Sequence, residues 1–211
     1  MNSRNEMIKD EIIIIGFGGH ARSIADSIKS AGDYNIVGYT DIVDRRCQYN
    51  YLGTDDNLQR IFDEGIHNAV IGIGFVDDYT IRDNVIDKAK EIGFSFPTII
   101  DSSAVIADDC FIGDGCFIGK NAVINAATVI DEFSIINTGA IIEHDNKIGA
   151  HSHIAVGALL CGEVFVGHHT LIGAGSIVIQ CKNIGNNCII GAGSMVIANV
   201  ENNMKVYGVI K

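Results

Sequence analysis

The second half of the chain carries an aliphatic residue at every sixth position. The series runs from Ile100 to Val196 and holds only Ile, Leu or Val at seventeen consecutive positions, without insertion or deletion. A period of six matches neither the 3.6-residue repeat of an α-helix nor the alternation of a β-strand. It indicates a short strand and a turn, with the aliphatic side chain pointing inward and a glycine or other turn residue at the corner.

Three such units close one triangular coil, so the series predicts a parallel β-helix of between five and six coils. The residue two positions before each aliphatic residue is mostly small, which suits a crowded interior. Three of the six cysteines, Cys110, Cys116 and Cys188, occupy this small position. We therefore interpret them as packing residues.

The first part of the chain instead alternates strand and helix patterns. Its apolar strand runs cover residues 11–15, 36–39 and 69–73, and helical patterns follow the first run and occupy residues 79–91. This order predicts a small parallel sheet with helices packed on it. Because Gly93 is a plausible helix stop and Pro97 is the only proline, we place an α/β domain at residues 1–97 and the β-helix at 98–211.

A glycine-rich loop follows the first strand. Gly16, Gly18 and Ala21 fit the loose form of the dinucleotide fingerprint, and Asp41 follows about 20 residues later. Glycines at a strand-to-helix turn let backbone N–H groups approach a phosphate at the positive end of the helix. About three strands are too few for both halves of an NAD site, so a nucleotide or nucleotide-sugar diphosphate is the better ligand. The alternative is that the glycines only permit a tight turn.

Charge and composition narrow the classes further. The formal net charge of −11 argues against nucleic acid as a partner but is compatible with a small anionic ligand. The apolar run at residues 12–15 is too short for a leader peptide or a membrane span. Six cysteines without a CxxC pair are typical of reduced thiols, so we expect a cytoplasmic protein.

Three segments, residues 15–20, 137–145 and 148–157, resemble the sugar N- and O-acetyltransferases of bacterial surface-glycan biosynthesis. That family includes the N-acetyltransferases of a UDP-bacillosamine precursor, GDP-perosamine and dTDP-4-amino-4,6-dideoxyhexoses, and the sialic acid O-acetyltransferases. The resemblance implies a half-Rossmann-like domain before a left-handed β-helix, a homotrimer, and acetyl-CoA bound in a groove between subunits. The left-handed winding is an exception to the usual crossover rule.

The resemblance also implies roles for particular residues. His144 corresponds to the catalytic base, since imidazole titrates in the range needed to take a proton from an attacking amine, and Asp145 would orient its ring. Arg82 is either a phosphate contact or a solvated helix residue, and His20 has the alternative of simple exposure. The other implied site residues are Gly18, Gly19, His20, Asp41 and Gly74 for the nucleotide sugar, and His153, Gly162, Ala174 and Ala192 for acetyl-CoA.

We therefore expect direct acetyl transfer from acetyl-CoA to the 4-amino group of a UDP-, dTDP- or GDP-linked 4-amino-4,6-dideoxyhexose, without a metal. One alternative is sialic acid O-acetylation, and another is a non-catalytic trimeric scaffold. A third is a zinc enzyme like the γ-type carbonic anhydrases, raised by His144, His151, His153, His168 and His169. The chain departs from the family at its end, where residues 207–211 lack the proline of a Gly-x-Pro-Ala-Lys segment that contacts the coenzyme.

Overall fold

The computed structural model describes residues 9–211, which fold into an N-terminal α/β unit packed against a parallel β-helix. The start of the polar N-terminal stretch, from which we expect no leader, lies outside the described residues. Between residues 9 and 211, no helix combines the length and the apolar character needed to cross a bilayer.

The N-terminal unit has three parallel strands, β1 (Asp10–Ile15), β2 (Tyr34–Thr40) and β3 (Asn68–Ile71). Their order in the sheet is β2-β1-β3, and the central strand contains four fully buried isoleucines, residues 12–15. The helices are α1 (Gly19–Ala31), α2 (Leu58–Asp63) and α3 (Thr80–Ile92), and the 3₁₀ turn Asp55–Asn57 precedes α2. The hydrophobic pattern did not predict α2 or this 3₁₀ turn, because neither is long enough to show a period.

The β-helix consists of two-residue strands on three parallel sheets. The docked face, which packs on the N-terminal unit, comprises Ile99–Ile100, Phe117–Ile118, Ile135–Ile136, His153–Ile154, Leu171–Ile172, Ile189–Ile190 and Lys205–Val206. The aliphatic face comprises Val105–Ile106, Val123–Ile124, Ile141–Ile142, Leu159–Leu160, Ile177–Val178, Met195–Val196 and Val209–Ile210. The short face comprises Phe111–Ile112, Val129–Ile130, Lys147–Ile148, Phe165–Val166 and Asn183–Ile184.

The strand register confirms the predicted coil. Ile136 pairs with Ile154, and Ile154 pairs with Ile172, so each coil contains eighteen residues, or three hexads. The inward aliphatic residues form one continuous buried stack that includes Cys116 and Cys188. The six-residue series stops after Val196. Each of the last two strands pairs with residues fewer than eighteen positions before it, so the final coil contains fewer residues than the others.

The corners between the faces stack into three ridges along the β-helix. Ridge 1 lies between the docked and aliphatic faces and carries Thr138, Val156, Ala174 and Ala192. Ridge 2 lies between the aliphatic and short faces and carries Ala126, His144, Gly162 and Gln180. Ridge 3 lies between the short and docked faces and carries Phe133, His151, His169 and Asn187.

The N-terminal unit covers the docked face through a shared apolar core. Outward-pointing Ile99, Phe117 and Ile135 pack against buried residues of β1 and α1. Gly93, at a φ of 111°, ends α3, and the first strand of the β-helix begins six residues later. The domain boundary at residue 97 stays a prediction from the sequence.

A buried carboxylate adds a polar link to this interface. Asp101 accepts hydrogen bonds from the Ser27 hydroxyl of α1 (2.6 Å), from Ser103 (2.6 Å from the hydroxyl) and from Lys120 (3.1 Å). Burial alone would raise the pKa of Asp101, but these hydrogen bonds hold it well below its usual range. The ionised carboxylate therefore stabilises the docking of α1.

We expect Asp101→Asn to lower the free energy of unfolding at pH 7 by about 1–3 kcal/mol, because a buried ionic acceptor is lost. Since the pKa of the folded state is depressed, this stabilisation is present above the unfolded pKa of about 4 and is lost as the pH falls below it. Thermal unfolding of both proteins between pH 7 and pH 3 tests this. The exposed Asp108→Asn is the control, and a difference in Tm that stays constant with pH contradicts the account.

Candidate functional site

His144 lies on ridge 2, in the turn that joins the aliphatic face to the short face. The turn is held by neighbouring coils, since the Asp145 N–H donates to the Ala126 carbonyl (2.9 Å) and the Glu163 N–H donates to the His144 carbonyl (3.0 Å). Asp145 adopts a φ of 57°, the left-handed conformation in which Asp is tolerated better than most residues. The backbone thus presents the imidazole outward from a rigid corner.

The predicted pair of His144 and Asp145 forms a direct contact. His144 Nδ1 lies 2.8 Å from Asp145 Oδ2. This hydrogen bond, with the negative charges of Asp145, Glu143 and Glu163, raises the pKa of His144 above its usual value, against a smaller opposing effect of desolvation. Within residues 9–211, no group hydrogen-bonds to Nε2. The arrangement leaves Nε2 free to exchange a proton with a ligand.

Gly162 lies one coil beyond His144, and its missing side chain makes room for the ring. A Cβ at this position would lie 2.6 Å from Cε1 of His144 and 2.7 Å from Nε2. These distances are shorter than van der Waals contact, so any other residue at this position would displace the imidazole. The role of Gly162 in the coenzyme groove stays a prediction, whereas the room that it leaves for the His144 ring is a structural reason for a glycine here.

Asn146 supports the same turn and was not predicted as a site residue. Its fully buried side chain donates to the carbonyls of Glu143 and Cys161 and accepts from the Val164 N–H (3.0 Å). The available signal was its place in the hexad, because it occupies the inward small position two residues before Ile148. A buried amide that satisfies several backbone groups there holds the corner rigid.

A second cluster lies in the interdomain cleft, a space of about 670 Å³ between the loop after β3 and ridge 1. His153 Nδ1 donates to the Phe75 carbonyl (3.0 Å), and its Nε2 lies 3.2 Å from Asn137 Nδ2. Because a carbonyl can only accept, the proton is on Nδ1 and Nε2 accepts from Asn137. Burial lowers the pKa of His153. Both ring nitrogens of this neutral histidine are therefore engaged within the chain.

His20 lines the same cleft and is not freely exposed. Its ring packs edge-on against Phe117, with centroids 5.3 Å apart, and a Cβ on Gly74 would lie 3.6 Å from the His20 ring. Burial, followed by the charges of Arg82 and His153, lowers the pKa of His20 to about 3. The ring is therefore neutral at pH 7, and it can hydrogen-bond a ligand without contributing a positive charge.

The glycine loop borders a smaller space of about 360 Å³, here termed the loop pocket. Gly19, His20 and Gly74 line both spaces, which therefore adjoin. The other residues around the loop pocket include Gly16, Phe17, Gly18, Asp41, Arg45, Asp55, Ile73 and Ile81. The structure thus brings together all five residues predicted for the nucleotide sugar.

The glycines of this loop have different structural reasons. Gly16 has a φ of 80°, and a Cβ there would lie 2.4 Å from Ile73, so the turn itself requires a glycine. No atom lies within 4 Å of the positions that a Cβ would take on Gly18 or Gly19, and neither has a left-handed φ. A tight turn therefore explains Gly16 alone. The other two glycines keep the backbone at the start of α1 accessible from the pocket.

Asp41 lies at the predicted position, but its carboxylate is already engaged. It accepts from the Phe17 N–H (2.8 Å) and forms a two-pronged ion pair with Arg45 (both contacts 2.9 Å). Burial would raise the pKa of Asp41, but these donors hold it below its usual value. The residue ties the glycine loop to the segment after β2 and places the Arg45 guanidinium at the rim of the loop pocket.

The structure corrects both interpretations of Arg82 that the sequence allowed, a phosphate contact and a solvated helix residue. The side chain is neither solvated nor directed at a phosphate, because it is 2% exposed and donates to the carbonyls of Ile73 and Phe133 (both 2.8 Å). Helical periodicity could not reveal this, since the second carbonyl belongs to the β-helix. Arg82 is a bridge between the two units.

The remaining predicted coenzyme residues, Ala174 and Ala192, lie on ridge 1, one and two coils beyond Val156, which lines the interdomain cleft. His144 and Gly162 lie on ridge 2, across the aliphatic face. Within one chain the structure therefore separates the predicted base from the cleft and from part of the predicted coenzyme groove.

Known proteins share both units. Residues 11–89 match the family described as the PglD N-terminal domain. No curated protein sequence matches the chain.

Several solved structures match nearly the whole chain. PerB from Caulobacter crescentus, in complex with CoA and GDP-perosamine, is 31% identical, with a TM-score of 0.88 and 94% of each chain covered. The acetyltransferase domain of PglB from Neisseria gonorrhoeae, in complex with acetyl coenzyme A, is 26% identical, with a TM-score of 0.87 over 95% of this chain and 97% of that one. WeeI from Acinetobacter baumannii, 20% identical, shares the fold with a TM-score of 0.77 over the same shares.

The predicted fold class and the predicted family are both confirmed by these matches. The chain has a PglD-type N-terminal domain followed by a parallel β-helix and is similar to PerB over 94% of its length. It is therefore a member of the acetyl-CoA-dependent nucleotide-sugar N-acetyltransferase family.

Proposed function

We propose that the protein transfers the acetyl group of acetyl-CoA to the 4-amino group of a nucleotide-linked 4-amino-4,6-dideoxyhexose. The observation that carries the proposal is the exposed pair of His144 and Asp145, with a free Nε2 held over Gly162. Two matched structures of the Caulobacter enzyme are variants with Asn or Ala in place of a histidine, and both contain CoA and GDP-perosamine. Family membership favours this reaction over a zinc enzyme, a scaffold or sialic acid O-acetylation.

In the proposed reaction the amine nitrogen attacks the acetyl carbonyl directly. The new C–N bond forms as Nε2 of His144 takes the amine proton, and the C–S bond then breaks to release CoA thiolate. The imidazolium returns the proton to the thiolate, which leaves as CoA thiol. Asp145 keeps the proton on Nδ1 of the resting ring and stabilises the imidazolium. No covalent acetyl-enzyme is needed.

The loop pocket is the proposed site of the nucleotide diphosphate. The unobstructed backbone at Gly18 and Gly19 opens the N-terminus of α1 to a phosphate, and the Arg45 guanidinium, ion-paired with Asp41, lies at the rim. Because the loop pocket adjoins the interdomain cleft, the sugar would extend from the first into the second. His20 lies between the two spaces and would contact the substrate there.

We further propose a homotrimer, because one chain does not assemble the whole site. The outward side chains of the aliphatic face are all apolar and include Val105, Ile177, Met195 and Val209, which are between 38% and 63% exposed. A continuous apolar stripe of this kind is typical of an interface. Three copies that turn this face toward a common axis close into a ring and set ridge 1 of each chain against ridge 2 of the next.

This arrangement would bring the interdomain cleft of one protomer to His144 of its neighbour. Acetyl-CoA would then lie between the two ridges, with Ala174 and Ala192 on one side and Gly162 on the other.

We place the reaction in the cytoplasm, since all six cysteines are free. The catalytic step as proposed uses no metal.

Replacement of His144 tests the proposed base. We expect His144→Ala to lower kcat by about 10²–10⁴-fold. The assay measures thiol release from acetyl-CoA with UDP-, dTDP- or GDP-linked 4-amino-4,6-dideoxyhexoses as acceptors. Since the base must be neutral and its pKa is raised, activity should fall as the pH drops through a value above 6.5. Asp145→Asn should shift that acid limb to lower pH. Full activity of His144→Ala with an accepted substrate would overturn the mechanism.

Gly18 tests the nucleotide site. A Cβ at this position would have no protein atom within 4 Å, and Gly18 lines the loop pocket. We therefore expect Gly18→Leu to fold normally but to raise KM for the nucleotide sugar at least tenfold. The KM for acetyl-CoA should stay unchanged. Gly16→Ala is the contrasting variant, because strain at that position should lower Tm instead. An unaltered nucleotide-sugar KM in Gly18→Leu would remove the loop from the site.

Substitutions on the aliphatic face test the proposed homotrimer. Leu159→Glu should dissociate the trimer in analytical ultracentrifugation and abolish transfer, because a charge would be buried at the centre of the stripe. Phe165→Glu, which replaces a similarly outward apolar residue on the short face, is the matched control and should remain trimeric. A fully active Leu159→Glu monomer is incompatible with a shared site.

A further inference from the structure

A cluster on ridge 3, remote from both edges of the aliphatic face, has no part in the proposed reaction. Asp83 projects from the first turn of α3 toward His151 and His169, which occupy the same corner of successive coils. Both histidines have left-handed backbone, with φ values of 59° and 53°. The corner therefore directs the two imidazoles side by side at one carboxylate.

The three side chains already form a compact set of ligand atoms. Asp83 Oδ1 lies 2.9 Å from His151 Nδ1, and Oδ2 lies 2.7 Å from His169 Nε2. The three ligand atoms lie within 4.8 Å of one another, and the two rings stack with centroids 4.8 Å apart. Tetrahedral ligands at about 2.0–2.1 Å from an ion lie roughly 3.3–3.5 Å apart, a separation that falls between the Asp–His contacts and the 4.8 Å limit of this set.

The surroundings match those of protein metal sites. The three side chains are only 15% to 23% exposed, so water competes weakly for the ion. His168 Nδ1 lies 3.0 Å from His169 Nδ1. When Nε2 of His169 acts as a ligand, its Nδ1–H can donate to His168, and such an outer hydrogen bond orients metal-bound histidines.

We propose that Asp83, His151 and His169 bind one divalent transition-metal ion, such as Zn²⁺, which joins the N-terminal unit to the β-helix. Two imidazole nitrogens and one carboxylate favour Zn²⁺, Co²⁺ or Ni²⁺ over Mg²⁺ or Ca²⁺. Water completes the tetrahedron. The carboxylate belongs to α3 and both histidines belong to the β-helix, so the ion cross-links the two units beside the Arg82 bridge. Its role is structural, and acetyl transfer does not depend on it.

Co²⁺ titration of the metal-free full-length protein tests the site, because tetrahedral Co²⁺ absorbs strongly in the visible range. We expect one equivalent per chain, no thiolate charge-transfer band, and competition by Zn²⁺. At about a hundredfold excess of free Zn²⁺ over its Kd, Tm should rise by roughly 5–10 °C. His151→Gln and Asp83→Asn should each lose the visible band, whereas His67→Gln, an exposed histidine elsewhere, should keep it.

The outcomes separate the alternatives. No tetrahedral spectrum in the wild-type protein would show that Asp83 only hydrogen-bonds the two histidines, and the proposal would fail regardless of whether the variants fold. A thiolate band, or binding that survives both substitutions, would move the ion to the free cysteines and also overturn it. Acetyl transfer before and after chelation should be equal, so a failure here leaves the assignment of His144 untouched.

Discussion

Hydrogen bonds between successive coils hold residues eighteen positions apart directly above one another. This register follows from the inward aliphatic stack, because a slip of one residue would turn every buried side chain outward. All other features of the β-helix depend on it. The ridges are straight only because each coil before the final one contains eighteen residues, and the ring of His144 packs against Gly162 only because the two are one coil apart.

The three faces of the β-helix share an inward pattern but differ on the outside. One face is covered by the N-terminal unit through Ile99, Phe117 and Ile135. A second face exposes an aliphatic stripe, and the third mixes aromatic, charged and amide side chains. This asymmetry explains how a repetitive scaffold supports a single proposed site: the interdomain cleft lies at one edge of the aliphatic stripe, and His144, the proposed base, lies at the other.

The histidines show how the same side chain acquires different chemistry from its surroundings. At an open corner beside Asp145, the pKa of His144 is raised. In the interdomain cleft, burial lowers the pKa of both His20 and His153. The environment of His144 suits proton transfer at neutral pH. The environments of His20 and His153 instead favour a neutral ring that only forms hydrogen bonds. His151 and His169 differ again, since both contact one carboxylate from the other unit.

Local periodicity is enough to predict the coil, its length and the alternation of strands and helices before it. The pair of His144 and Asp145 and the glycine loop are also visible in the sequence, because their residues are close in the chain. Which of these residues contact one another depends on how the chain folds. The burial of Arg82 across the domain interface, the space that Gly162 leaves for His144, and the approach of Asp83 to two histidines all join distant segments, and no local pattern encodes such contacts.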